Sequence, residues 1–149
     1  MPTVTIDNIV YEFEGRPKAL QFCLNTGIEL PHFCYHPAMS VPANCRECLV
    51  EVGMPVIDRE TKQPKLDENG QPVIQFMPKL QTSCSLDLAD GMVIRTHRTS
   101  DLVARAQRDT LEFLLINHPL DCPICDQAGH CPLQIQAYKY GPEGSRFEF

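Results

Sequence analysis

The fourteen residues HPLDCPICDQAGHC place His118, Cys122, Cys125 and Cys131 at gaps of three, two and five residues. Imidazole and thiolate are the donor types that hold zinc and iron–sulfur clusters. Pro119, Pro123, Gly129 and Pro132 keep this stretch out of a regular helix, because proline lacks the backbone donor and clashes with the preceding turn. It reads as a loop wrapped around a metal centre. A cubane [4Fe–4S] cluster needs four ligands converging from several sides, which such a loop can supply. Structural zinc also accepts a Cys3His set, so spacing alone leaves both readings open. A catalytic thiol fits less well, since three cysteines with prolines beside two of them do not resemble a nucleophile with its base.

A second set is Cys34, Cys45, Cys48 and Cys84, at gaps of ten, two and thirty-five residues. Plant-type ferredoxins hold a [2Fe–2S] cluster with a clustered trio and one distant cysteine. The trio here is wider, but the logic is the same. Zinc sites usually use two short pairs, and Cys34 and Cys84 are each unpaired, so spacing favours the cluster over zinc. Of the eight cysteines only Cys23 is left over, and it reads as a small buried hydrophobe. His32, His36, His97 and His130 read as solvent-facing or hydrogen-bonding residues, because the four cysteines already suffice.

The 149 residues suit one medium domain or two small ones. No run of eighteen apolar residues exists, so no membrane insertion is expected. The start, MPTVTIDNIVYEF, has neither the basic and apolar regions of a secretory signal nor the character of a transit peptide. A cytoplasmic location follows as an expectation, and in a reducing compartment clustered thiols are metal ligands rather than disulfides. The net charge of -6 argues against nucleic acid and fits docking to other proteins.

The elements that must position these donors can be read in order. Val4 and Ile6, the polar pair Asp7-Asn8, then Ile9, Tyr11 and Phe13 on one face predict an opening β-hairpin. Pro17, the spacing of Ala19, Leu20, Cys23 and Leu24, and Gly27 predict a helix at about 17–26. The segment 28–44 is irregular. LVEVG is a short strand, and residues 54–79 read as a surface ribbon with Asn69-Gly70 at its tip. KLQTSCSLDL and MVIRTH supply the last strands. Ser100 or Thr99 caps a helix over 99–117. Its predicted inner face carries Val103, Ala106, Thr110, Phe113, Leu114 and Asn117, with Leu111 and Leu115 beside it. AYKYGPEGSRFEF reads as a connector cut short. This predicts an α+β chain, with one sheet-and-helix domain at 1–97 and a second at 98–149.

FCYHPAMSVPANCRECLVEVG, KLQTSCSLDLADGMVI and LLINHPLDCPICDQAGHCPLQ together resemble the N-terminal part of the large iron–sulfur subunit of NADH:quinone oxidoreductase (respiratory complex I). The likeness covers nearly the whole chain. It implies a β-grasp, ferredoxin-like domain with a [2Fe–2S] cluster on Cys34, Cys45, Cys48 and Cys84. It also implies a small helical domain with a [4Fe–4S] cluster on His118, Cys122, Cys125 and Cys131. The implied role is an electron relay from a flavin- and NADH-binding subunit towards quinone, with no catalytic residue on this chain. The implied place is among the other peripheral-arm subunits, on the cytoplasmic face of the inner membrane. Related modules occur in NAD-linked hydrogenases and some formate dehydrogenases. The family continues into a further cluster segment and a large domain, so the chain reads as a fragment or a shortened carrier. A redox-silent, zinc-stabilised interaction module is the competing reading.

Overall fold

The computed structural model describes residues 1–142. The end of the expected connector, 143–149, lies outside the described residues.

β1 (Thr3–Ile6) buries Val4 and Ile6 and pairs antiparallel with β2 (Ile9–Glu12), Ile6 opposite Ile9. The two turn residues Asp7 and Asn8 take φ of 51° and 69°, the left-handed backbone that a two-residue type I′ hairpin requires. The predicted inner face of β2 is only half correct. Phe13, just past the strand, is buried, but Ile9 is 57% exposed. The helix below explains the difference: its Phe22 meets Tyr11 and Phe13 edge-on, at the far end of the strand from Ile9.

That helix, α1, runs Ala19–Asn25, shorter at both ends than predicted. It has no side-chain cap. Its first free N–H groups are satisfied by loop carbonyls instead, Ala19 donating to Leu86 O at 2.8 Å and Leu20 to Ser83 O at 2.9 Å. Gly27, at φ 85°, ends the helix, and Ile28 N–H turns back to Cys23 O at 2.8 Å. Cys23 is fully buried beneath the sheet, as predicted.

The remaining strands are β3 (Leu49–Pro55), β4 (Ile74–Phe76), β5 (Gln81–Thr82) and β6 (Met92–Arg95). The sheet order is β2-β1-β6-β3-β4, with β5 paired to the start of β3. β1 and β6 run parallel and the other pairs antiparallel. Ile6, Leu20, Val50, Val52 and Ile94 form the core between sheet and helix. Mixed sheet and crossing helix make an α+β, ferredoxin-like unit. Residues 54–79 form the predicted ribbon, with bridges Ile57–Pro64 and Leu66–Pro72 and a tip where Asp67 Oδ1 accepts from the N–H groups of Asn69 and Gln71.

Ser100 caps α2 (Asp101–Leu114), accepting from Val103 N–H, while its own hydroxyl donates to Glu51 Oε2 of β3 at 2.9 Å. The start of this helix is thereby fixed to the sheet. Its inner face differs from the prediction. Val103, Gln107, Leu111 and, just beyond, Leu115 are buried, whereas Phe113 is 74% exposed and Leu114 also faces out. A four-residue step through the polar Gln107 defines the seam. The helix ends at Leu114, short of the predicted Asn117, and a turn over 115–117 leads to Pro119, which disfavours a helical residue before it.

The connector prediction is also corrected. Residues Pro132–Tyr140 form α3, with Pro132 in its first turn and Ala137 buried. α3 packs on α2. It stops at Gly141, where a Cβ would lie 2.7 Å from Ala137 O.

Candidate metal centres

Cys48 immediately precedes β3 and Cys84 follows β5, so the pairing of Leu49 with Thr82 brings these two thiols to one end of the sheet. Ser83 locks the pair. Its N–H and its hydroxyl both donate to Cys48 O, at 3.1 and 2.7 Å. Both thiols are buried. Cys34 and Cys45 lie on the irregular segment opposite and are half-buried.

That segment is shaped by backbone rather than by regular structure. Ala43 and Arg46 sit at φ 54° and 61°, uncommon for residues other than glycine. Such turns aim successive N–H groups into a concavity that favours an anion. Burial alone would raise the Cys34 thiol, but N–H groups of Cys45, Asn44 and Cys34 itself bring it below its ordinary value. For Cys45, burial dominates and raises the thiol, against N–H groups of Cys34, Glu47 and Phe33. Cys84 is pushed up to about 12, first by burial and then by the charges of Cys48, Cys34 and Cys45. The four sulfurs therefore feel one another electrostatically. Bound cationic iron would relieve that mutual repulsion, so the donor set fits a thiolate-ligated cluster.

The second set surrounds a cavity of about 290 Å3. His118, Cys122, Cys125 and Cys131 all line it, together with apolar Leu120, Ile124 and Leu133. A single 3-10 turn, Cys122–Ile124, starts the loop, and Cys125 N–H closes it on Cys122 O at 3.0 Å. Cys131 is the N-cap of α3. Gln134, in the first turns of α3, accepts from Gly129 N–H at 2.8 Å and fastens the loop to the helix. His118 and Cys125 are exposed, so the site is open at the surface. One imidazole and three thiols around one apolar-walled cavity fit a cubane with a single histidine ligand. Among the described residues, no three His, Cys, Asp or Glu side chains close on a common ion position. A multi-iron cluster does not ask for one, since its ligands are shared among several irons.

The other histidines divide. His32 Nδ1 lies 2.9 Å from Leu30 O, and His36 Nδ1 accepts from Ala38 N–H. His97 corrects the prediction that every such histidine faces solvent or forms a hydrogen bond. It is half-buried edge-on to Tyr140, its Nδ1 has no partner, and burial lowers its pKa. Glu47, between Cys45 and Cys48, carries no signal in the sequence beyond that of a loop residue. It is fully buried with both oxygens unpartnered, and burial lifts its carboxyl to about 8.

Residues 1–99 match the family described as a 2Fe-2S iron-sulfur cluster binding domain. The chain belongs to this family. Residues 107–146 match a second description, the NADH-ubiquinone oxidoreductase-G iron-sulfur binding region, so the expected resemblance is borne out. One [2Fe–2S] and one [4Fe–4S] cluster are the chain's cofactors. Among similar proteins, an NADH-quinone oxidoreductase subunit of Rickettsia bellii is 41% identical over 99% of this chain. The NADH-ubiquinone oxidoreductase 75 kDa subunit of Reclinomonas americana is 42% identical over 99%. NADH-quinone oxidoreductase subunit 3 of Thermus thermophilus is 38% identical over the full chain. The chain spans only 18–20% of the length of these relatives. A crystal structure of an NAD+-reducing [NiFe]-hydrogenase superposes with TM-score 0.70 at 30% identity, covering 99% of this chain and 52% of that one.

Proposed function

We propose that this chain is an iron–sulfur electron-relay part of an NADH-quinone oxidoreductase, passing electrons from a flavin- and NADH-binding subunit towards quinone. The observation that carries the proposal is the gathering of two complete four-donor sets, one at the sheet end and one around the α3 cavity, in a chain whose two halves match two iron–sulfur families. Cys34, Cys45, Cys48 and Cys84 hold the [2Fe–2S] cluster, and His118, Cys122, Cys125 and Cys131 hold the [4Fe–4S] cluster. Residues 1–97 form the ferredoxin-like domain and, of the described residues, 98–142 the helical one.

When bound, such clusters supply one-electron exchange with little structural change. The chain's own residues set the conditions. Backbone N–H groups at Cys34 and Cys45 stabilise thiolate charge, and Ser83 fixes the carbonyl of Cys48. Burial of Cys48 and Cys84 keeps water from one side of the site. Neither donor set requires an acid, base or nucleophile, so the chain serves an oxidoreductase without converting a substrate itself.

Among the described residues no helix is long and apolar enough to cross a membrane. The likeness to quinone-linked oxidoreductase subunits supports a place on the cytoplasmic face of the inner membrane, held there by other peripheral subunits. The hydrogenase likeness supports a second reading, the equivalent module of an NAD-linked hydrogenase.

Anaerobic purification tests the proposal. Six irons per chain, acid-labile sulfide and visible absorption are expected, and stoichiometric zinc alone would sink it. In Cys45→Ser the [2Fe–2S] EPR signal should vanish while the [4Fe–4S] signal remains. Co-purification with quinone-reducing or with hydrogen-oxidising activity separates the two hosts.

A further inference from the structure

α3 reaches the [4Fe–4S] loop and the segment leading to the [2Fe–2S] site, through two glutamines on opposite sides. Residues two apart on an α-helix project about 200° from one another. Gln134 faces the [4Fe–4S] loop, where its side chain accepts from Gly129 N–H. Gln136 faces the other way, and its Nε2 donates to His32 O at 2.8 Å, across 104 residues of sequence. His32 stands two residues before Cys34.

The segment entering the [2Fe–2S] site is held on its sheet side by packing: Leu30 and Pro31 are buried, and Tyr35, Val41 and Ala43 pack against the core. Apart from the N–H groups of Phe33 and Cys34 on the Cys45 sulfur, its other hydrogen bonds around His32 and His36 are local: His32 Nδ1 with Leu30 O, Ala38 N–H with His36 Nδ1, and Met39 N–H with His36 O. Packing against α3 is incomplete, because a groove of about 250 Å3 lies between α3 and the chain from Glu29 to His32. The ion pair of Lys139 with Glu29, at 2.6 Å, is exposed on both sides, and exposed pairs contribute little. The half-buried Gln136 bond is therefore the directional contact between α3 and this segment.

We propose that Gln136 is a positioning residue: by holding His32 O it seats the first [2Fe–2S] ligand, Cys34, against the helix whose N-cap is the [4Fe–4S] ligand Cys131. The two cluster sites are then fixed to one another by a nine-residue helix rather than tethered by the 85–117 segment alone. This rests on the ligand assignment given above.

The test uses the full chain carrying both clusters, as wild type, Gln136→Leu, Gln136→Lys and Lys139→Ala. Hydrogen exchange across 33–44, EPR-monitored redox titration and iron content are measured. In Gln136→Leu, exchange across 33–44 should quicken about fivefold, the effect of one ordinary hydrogen bond. The [2Fe–2S] EPR g-values and midpoint potential should shift, while the [4Fe–4S] signal and iron content stay. Gln136→Lys restores a donor of similar reach and should move both readouts back towards wild type. Lys139→Ala should change neither. Unchanged exchange and an unchanged [2Fe–2S] signal in Gln136→Leu would overturn the positioning role. So would loss of both clusters in Gln136→Leu and Gln136→Lys alike, which would mark a general folding role. Iron-free wild type would instead overturn the ligand assignment, and this inference with it.

Discussion

Asp7 should be the most sensitive turn position in the ferredoxin-like unit. Its carboxylate sits in the hairpin turn and accepts three hydrogen bonds from the β6–α2 junction: Thr96 N–H at 2.8 Å, Thr96 hydroxyl at 2.6 Å and Thr99 hydroxyl at 2.6 Å. The three losses are not equal. Thr99 is exposed, so water replaces the carboxylate there at little cost. Thr96 is fully buried, so its N–H and hydroxyl are left without an acceptor. Each orphaned donor costs about 1–3 kcal/mol, and neighbouring losses are not fully additive, which gives about 3 kcal/mol for the pair. Asp7→Gly isolates this term, because glycine adopts the native φ of 51° without strain. Asp7→Ala adds about 1 kcal/mol for a side chain forced into the left-handed region. At about 2–4 °C per kcal/mol for a chain of this size, the glycine variant should melt about 6–12 °C lower and the alanine variant lower still. The assay is anaerobic thermal unfolding followed by circular dichroism. Melting of Asp7→Gly within 2 °C of wild type would refute the reasoning and mean that the Thr96 groups find other acceptors.

Cys23→Ala should keep both clusters and lose on the order of 1 kcal/mol of packing, checked by iron content and urea unfolding; loss of iron would make Cys23 a ligand. Its thiol is pushed up to about 12 by burial and then by Asp7, so alkylation of the native chain at neutral pH should spare it. His118→Cys should retain a four-ligand cubane at a lower potential, since a thiolate adds negative charge where imidazole is neutral. His118→Ala should make that cluster labile, and an unchanged EPR titration in both variants would exclude His118 as ligand.

The grouping of Cys34, Cys45, Cys48 and Cys84 in one place, and of His118, Cys122, Cys125 and Cys131 in another, is legible because ligand chemistry restricts residue type and local spacing, and the hairpin because Asp7-Asn8 interrupts a two-residue alternation. The seam of α2 is not. Pattern reading places apolar residues inside, and here polar Gln107 is buried without a partner while Phe113 points out. α3 escapes for a related reason. Its inner stripe Leu133, Ala137 and Tyr140 is short and shared with polar Gln136, Ile135 and Tyr138 face out, and prolines at 132 and 142 suggest a connector. Pro132 instead marks a helix start, the position where a missing N–H costs nothing. Gln136 carries no local signal, because its partner is a backbone carbonyl 104 residues away.

The parallel pairing of β1 with β6 has a consequence for synthesis. β6 lies in the middle of the sheet and is the last of its strands to be made, yet it supplies the neighbour of both β1 and β3. Until Met92–Arg95 emerges from the ribosome, the N-terminal hairpin has no partner on its inner side and the core around Ile94 lacks its centre. Cys34, Cys45, Cys48 and Cys84 are all translated before that point. The nascent chain thus presents four thiols before the sheet that buries two of them exists. Truncation before Met92 should leave an unfolded, oxidation-prone segment rather than a smaller ferredoxin.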